Sequence, residues 1–131
     1  MTRGFDATVP DGIYTAADLG MSVSANWTLT GFNALHQGLL RVVNINLTYG
    51  GATVTAPTNG DITDLTPFAG NLPAGWLPAA EVAATGARVG QHGATVILSA
   101  TGTILLIGMD PGTTITSGSV VTFGFTYPAL A

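Results

Sequence analysis

Apolar and polar residues alternate along most of this chain, and the alternation marks short strands separated by glycine and proline turns. In SVSANWTLT (22–30), Val23, Ala25, Trp27 and Leu29 share one face, while Ser22, Ser24, Asn26, Thr28 and Thr30 share the other. That is the pattern of a half-buried strand. GFNALHQG (31–38) is bounded by glycines and too short for a stable helix, and reads as a loop with one helical turn. Strand character resumes in LLRVVNINLTY (39–49), with Val43, Ile45, Leu47 and Tyr49 opposed to Asn44, Asn46 and Thr48. Gly50-Gly51 predicts a tight hairpin into ATVTA (52–56).

After a turn at PTNG (57–60), DITDL (61–65) reads as a short strand, and AEVAA (80–84) as a weaker one. TVILSATGTILLIG (95–108) reads as two strands joined through Ala100-Thr101-Gly102. Its ILLI run (104–107) has no polar face, which predicts burial on both sides. Asp110-Pro111-Gly112 and Ser117-Gly118 are turn signals. SVVTFGFTY (119–127) then sets Val121, Phe123, Phe125 and Tyr127 against Thr122, Gly124 and Thr126, and Pro128 ends the strand.

No stretch holds a helical period. The expected fold is therefore all-β: a single antiparallel β-sandwich, jelly-roll-like because the Cys…Trp…Cys pattern of immunoglobulin domains is absent. Residues 1–20 lack either periodicity and read as an extended N-terminal arm ahead of a sandwich domain at 21–131. Phe5, Ile13 and Tyr14 are its candidate anchors on its own core or a neighbouring copy, and the alternative is a leader without fixed structure.

NLPAGWLPAAE (71–81) interrupts this regularity. Proline cannot donate to a sheet ladder, so the segment should cross between the halves of the sandwich. Leu72, Trp76 and Leu77 would close one end of the core or pack on a neighbouring subunit, with Pro73 and Pro78 fixing the backbone. Phe123, Phe125 and Tyr127 are the other candidates for core closure or a subunit interface.

Composition adds a second expectation. Only 8% of residues are charged, against about 25% in an average globular protein. Lysine is absent, and the mean hydropathy is +0.46. A surface so poor in charge lacks the usual protection against association. An obligate interface of ~2,000–5,000 Å² offers gross stabilisation of tens of kcal/mol at ~25 cal/mol per Å² of apolar area, above the ~4–15 kcal/mol cost of association. An obligate oligomer is expected. A net charge of −4 with three scattered arginines argues against nucleic acid and against a polybasic membrane contact. No run approaches the ~18 apolar residues of a membrane-spanning helix.

Catalytic chemistry finds little to build on. His36 and His92 lie in no nucleophile motif, and there is no cysteine. Two histidines fall short of a zinc ligand set. Asp61 and Asp64 would need several further oxygens to hold calcium, and Glu81 and Asp110 form no evident acid pair. The two Asn-x-Thr sequons, at Asn26 and Asn46, fit chance in a threonine-rich chain. No catalytic residue, cofactor or metal is expected.

From about Gly38 to Ala131 the order of elements resembles the sandwich domains of small minor tail and fibre-tip proteins of tailed bacteriophages, particularly those infecting actinobacteria. The elements are LLRVVNINLTYGGATVTAPTNGDI, NLPAGWLPA (71–79), VGQHGATVILSATGTILLIG and SGSVVTFGFTYP (117–128). In that family an LPAG-aromatic-x-P element sits mid-domain, and a G-x-x-aromatic-x-YP element ends the chain. The resemblance implies a virion component assembled in the host cytoplasm. It also implies a homotrimer that contacts other virion proteins or a host cell-surface polymer. Here the aromatic is Trp76 where the family commonly has Tyr or Phe, and Leu77 follows where a cation is frequent. That departure favours packing over a polar ligand. Two alternatives stand beside a tail protein: a trimeric capsid decoration protein, and a lectin-like module using Trp76 and Asn71.

Overall fold

A computed structural model describes residues 10–129. Its strands are β1 (Gly12–Tyr14), β2 (Trp27–Gln37), β3 (Leu40–Tyr49), β4 (Val54–Thr55), β5 (Asp61–Leu65) and β6 (Val82–Ala83). They continue with β7 (Thr85–Val89), β8 (His92–Leu98), β9 (Ile104–Met109), β10 (Thr114–Ile115) and β11 (Val120–Pro128). A three-residue 3₁₀ turn at Ala17–Leu19 is the sole helical element among the described residues. The fold is all-β and sandwich-like, as the alternation predicts.

The strands pair antiparallel in the order β1-β2-β3-β11-β7-β8-β9-β5, with β6 beside β8 and β4 paired only to β10. β7 and β8 share just two residue pairs, Arg88 with Gly93 and Val89 with His92. Beyond that corner β8 pairs with β6 and β9, so the sheet divides into β1-β2-β3-β11-β7 and β6-β8-β9-β5. Ile45, Leu47, Phe123 and Phe125 from the first part and Val96, Leu98, Ile104 and Leu106 from the second belong to one buried cluster.

Four local expectations are corrected. GFNALHQG is not a loop: β2 runs through it to Gln37, and His36 lies in a strand. The pairing of β2 with β3 slips between Leu29 and Gly31, and this bulge shifts the phase of the strand. Trp27 and Leu29 therefore point inward with Phe32, Ala34 and His36, a switch from odd to even positions that a strict period of two cannot follow. At its other end β2 starts at Trp27 rather than Ser22. Asn26 adopts a left-handed conformation (φ 74°) in a turn closed by the Trp27 N–H on the Ser24 carbonyl, and Val23 forms only a bridge to Phe68.

Gly50-Gly51 does not make a hairpin to ATVTA. Both edges of β3 are taken, by β2 and β11, so Val54–Thr55 pairs with Thr114–Ile115 instead. Nor is ILLI buried on both sides. Ile104 and Leu106 enter the core, whereas Leu105 and Ile107 point to the opposite face and are half-buried.

Candidate functional site

The inner face of the first sheet ends in a row unlike the rest of the core. Register places Gly12, His36, Arg41 and Tyr127 side by side across β1, β2, β3 and β11. Arg41 shares the odd phase of Val43, Ile45, Leu47 and Tyr49, so the alternation that buries those residues carries the arginine inward with them. It is 1% exposed and His36 is 0% exposed.

A buried guanidinium is tolerable only when its charge and its donors are met. Here Nε donates to the Gly75 carbonyl at 2.7 Å, and Nη1 donates to the carbonyls of Gly38 at 2.6 Å and Leu40 at 3.0 Å. Its Cζ also lies 5.5 Å from the centre of the Trp76 ring, a cation–π distance.

Trp76 reaches the row from the proline loop. A turn at residues 73–76 is closed by the Trp76 N–H on the Pro73 carbonyl at 3.0 Å, with Gly75 at φ 90°, the sign that its third position requires. The loop is held from both sides. Leu72 N–H donates to the Gly102 carbonyl at 2.9 Å, and the Tyr127 hydroxyl donates to the Trp76 carbonyl at 2.7 Å. Burial raises the pKa of Tyr127 well above the usual tyrosine value, against the opposing charge of Arg41, so the hydroxyl stays a donor. Tyr14 and His36 each meet the indole edge-to-face, with centroids 5.6 Å away. Trp76 itself is 1% exposed.

The N-terminal strand locks onto the same cluster. Asp11, 61% exposed at the side chain, accepts from the Gly38 N–H at 3.0 Å and from His36 Nδ1 at 3.2 Å. These two bonds, the backbone one first, hold its carboxyl below the usual 3.8. His36 Nε2 has no hydrogen-bond partner among the described residues.

Sequence reasoning singled out Leu72, Trp76, Phe123, Phe125 and Tyr127, and all are buried in the core cluster. Pro78 is buried and bridges Ala129; Pro73 and Leu77 are half-buried. Of the arm residues, Tyr14 packs on Trp76, Ile13 points outward at 69% exposure, and Phe5 lies outside the described residues. Asp11 and Arg41 are not among the expected site residues, and His36 is weighed there only for nucleophilic catalysis and zinc. Arg41 was findable from phase alone, whereas His36 was hidden by the bulge.

A second feature is a polar cavity of about 270 Å³ where the loop before β5 meets β8 and β9. Asn59, Asp61, Thr95, Ile107 and Asp110 line it. Asp110 is engaged by the Gly93 N–H at 2.9 Å, and Asn59 Oδ1 accepts from the Asp61 N–H at 3.1 Å. The lining offers two carboxylates, an amide and a hydroxyl, without a histidine beside them. Among the described residues no three His, Cys, Asp or Glu side chains gather as a metal site. No helix there is long and apolar enough to cross a membrane. What the Trp76 cluster can do chemically is hold strands together: its donors point at backbone carbonyls and at the Asp11 carboxylate, and its rings meet edge to face. Comparison of the chain with protein-family models, with curated proteins and with solved structures finds no match.

Proposed function

We propose that this chain is a non-enzymatic structural subunit of a tailed-bacteriophage virion, a homotrimeric minor tail or tail-tip protein that serves in tail assembly or host-surface attachment. The observation that carries the reading is where the chain puts its polar and apolar side chains. Its buried arginine and buried histidine are consumed in pinning a loop and a terminal strand, while Ile13, Leu39, Leu40 and Val120 stay exposed on an outer surface poor in charge. A chain with this distribution gains by covering its surface with protein.

The order of elements that resembles phage tail proteins supplies the setting. Trp76, on which a lectin-like module with Asn71 would draw, is buried, which favours packing over contact with a ligand. The test is immunogold labelling of intact particles with antibody to this chain. A few copies at the tail tip support the proposal. Labelling over the whole head, at hundreds of copies, would replace it with a capsid decoration role, and unlabelled particles would end both.

A further inference from the structure

The first sheet has an outer face as well as an inner one. We infer that the outer face of β1-β2-β3-β11 is the surface on which one copy of this chain meets another. The inference rests on the self-assembly reading above and names the surface that performs it.

Register defines the face. One row runs Ile13, Leu35, Val42, Thr126; the next runs Asn33, Asn44, Gly124; a third runs Gly31, Asn46, Thr122. Thr28, Thr48 and Val120 close one end, and Gln37, Leu40 and Pro128 the other. None of these residues is charged; among the described residues the charges at the rim of the face are Asp11, ahead of Gly12 and 61% exposed at the side chain, and Arg88 on β7, beside Thr122. Ile13 and Leu40 are 69% and 40% exposed, and Leu35 and Val42 join them into one aliphatic patch, none of the four packed against the core. Asn44 and Asn46 lie over Gly124 and Gly31, where a Cβ would collide with their amides, and this keeps the middle of the face low.

Charge selects the occupant. Each copy carries −4, so two copies repel wherever their carboxylates approach. On the outer face of the second sheet, Ile107 shares its cavity with Asp61 and Asp110. The rows of the β1-β2-β3-β11 face hold no carboxylate, and Asp11 at its rim is already bonded to the Gly38 N–H and to His36. The amides and hydroxyls of the face both donate and accept, so they can pair with groups of the same kind on the copies that meet it around a threefold axis, whereas a charged partner would find no counter-charge within the rows. Size is of the right order: three long strands of about ten residues cover roughly 34 Å by 14 Å, and the three residues of β1 add about 10 Å by 5 Å, ~530 Å² in projection against the ~800 Å² per partner of a standard interface.

The test compares two charge-matched variants by sedimentation: Leu40→Glu with Asn44→Glu on this face, and Ala83→Glu with Thr95→Glu at exposed positions on the second sheet. Expected is loss of the assembly in the first, to the 13.2 kDa of a single chain, while the second sediments like the parent. If the first variant assembles like the parent, or if both fall apart, the assignment to this face is overturned while self-assembly stands. A parent chain that itself sediments at 13.2 kDa overturns both. Should the first variant lose its β circular dichroism, Asn33→Cys decides, since the chain has no other cysteine. Maleimide labelling of Asn33→Cys many-fold slower than that of Thr95→Cys on the second sheet supports the inference, and equal rates overturn it.

Discussion

Replacing Trp76 with alanine tests whether the proline loop closes the core. The indole is fully buried, so truncation removes its transfer free energy and leaves a cavity, ~3–5 kcal/mol for an aromatic of this size. Its edge-to-face contacts with Tyr14 and His36 and its place beneath Arg41 put the expected loss at the upper end of that range. A domain of this length has about 5–15 kcal/mol in all, so the variant should remain folded but lose roughly 10–20 °C in Tm. The assay is thermal and urea unfolding followed by far-ultraviolet circular dichroism, with parent and variant at equal concentration because association contributes to apparent stability. Trp76→Phe keeps a ring at the site and should lose less than half as much. A loss below ~1 kcal/mol for Trp76→Ala would refute the closing role, because no buried aromatic in a packed core is removed so cheaply.

Three further outcomes follow from the same cluster. Tyr127→Phe removes the donor to the Trp76 carbonyl and should cost about 1–2 kcal/mol in urea unfolding; an unchanged midpoint would show that bond to be dispensable. Asp11 has a depressed pKa, so its stabilisation is complete above its ordinary 3.8 and is lost as pH falls through the lower folded value. The Gly38 amide resonance should titrate with a midpoint below 3.8 and stop titrating in Asp11→Asn, and a midpoint at or above 3.8 contradicts the bond. Gly102→Ala places a Cβ 2.7 Å from the Leu72 carbonyl at a residue with φ 89°, which should destabilise by ~1–3 kcal/mol in thermal unfolding, and a neutral result would show that the loop can shift.

Most of the sheet was legible because alternation is a local signal. Val43 to Tyr49 and Val121 to Tyr127 read directly as inward-facing sets, and both strands stand where the pattern puts them. What failed depended on partners distant in sequence. ATVTA could not be denied its hairpin until β2 and β11 were known to fill both edges of β3. The bulge near Thr30 is invisible to a period of two, and it concealed that His36 continues the inward face begun by Trp27. The proline loop reads in sequence as a crossing with Trp76 as packing, and the indole lies in the core. Its polar surroundings were not read, because hydrogen bonds from Arg41 and Tyr127 to loop carbonyls span 34 and 51 residues.

Light scattering of the purified chain across the micromolar range tests the central claim, that this sandwich exists to assemble with copies of itself. A homotrimer gives a mass of about 40 kDa, three chains of 13.2 kDa, that holds on dilution. A mass of 13.2 kDa throughout, with normal solubility, would contradict it.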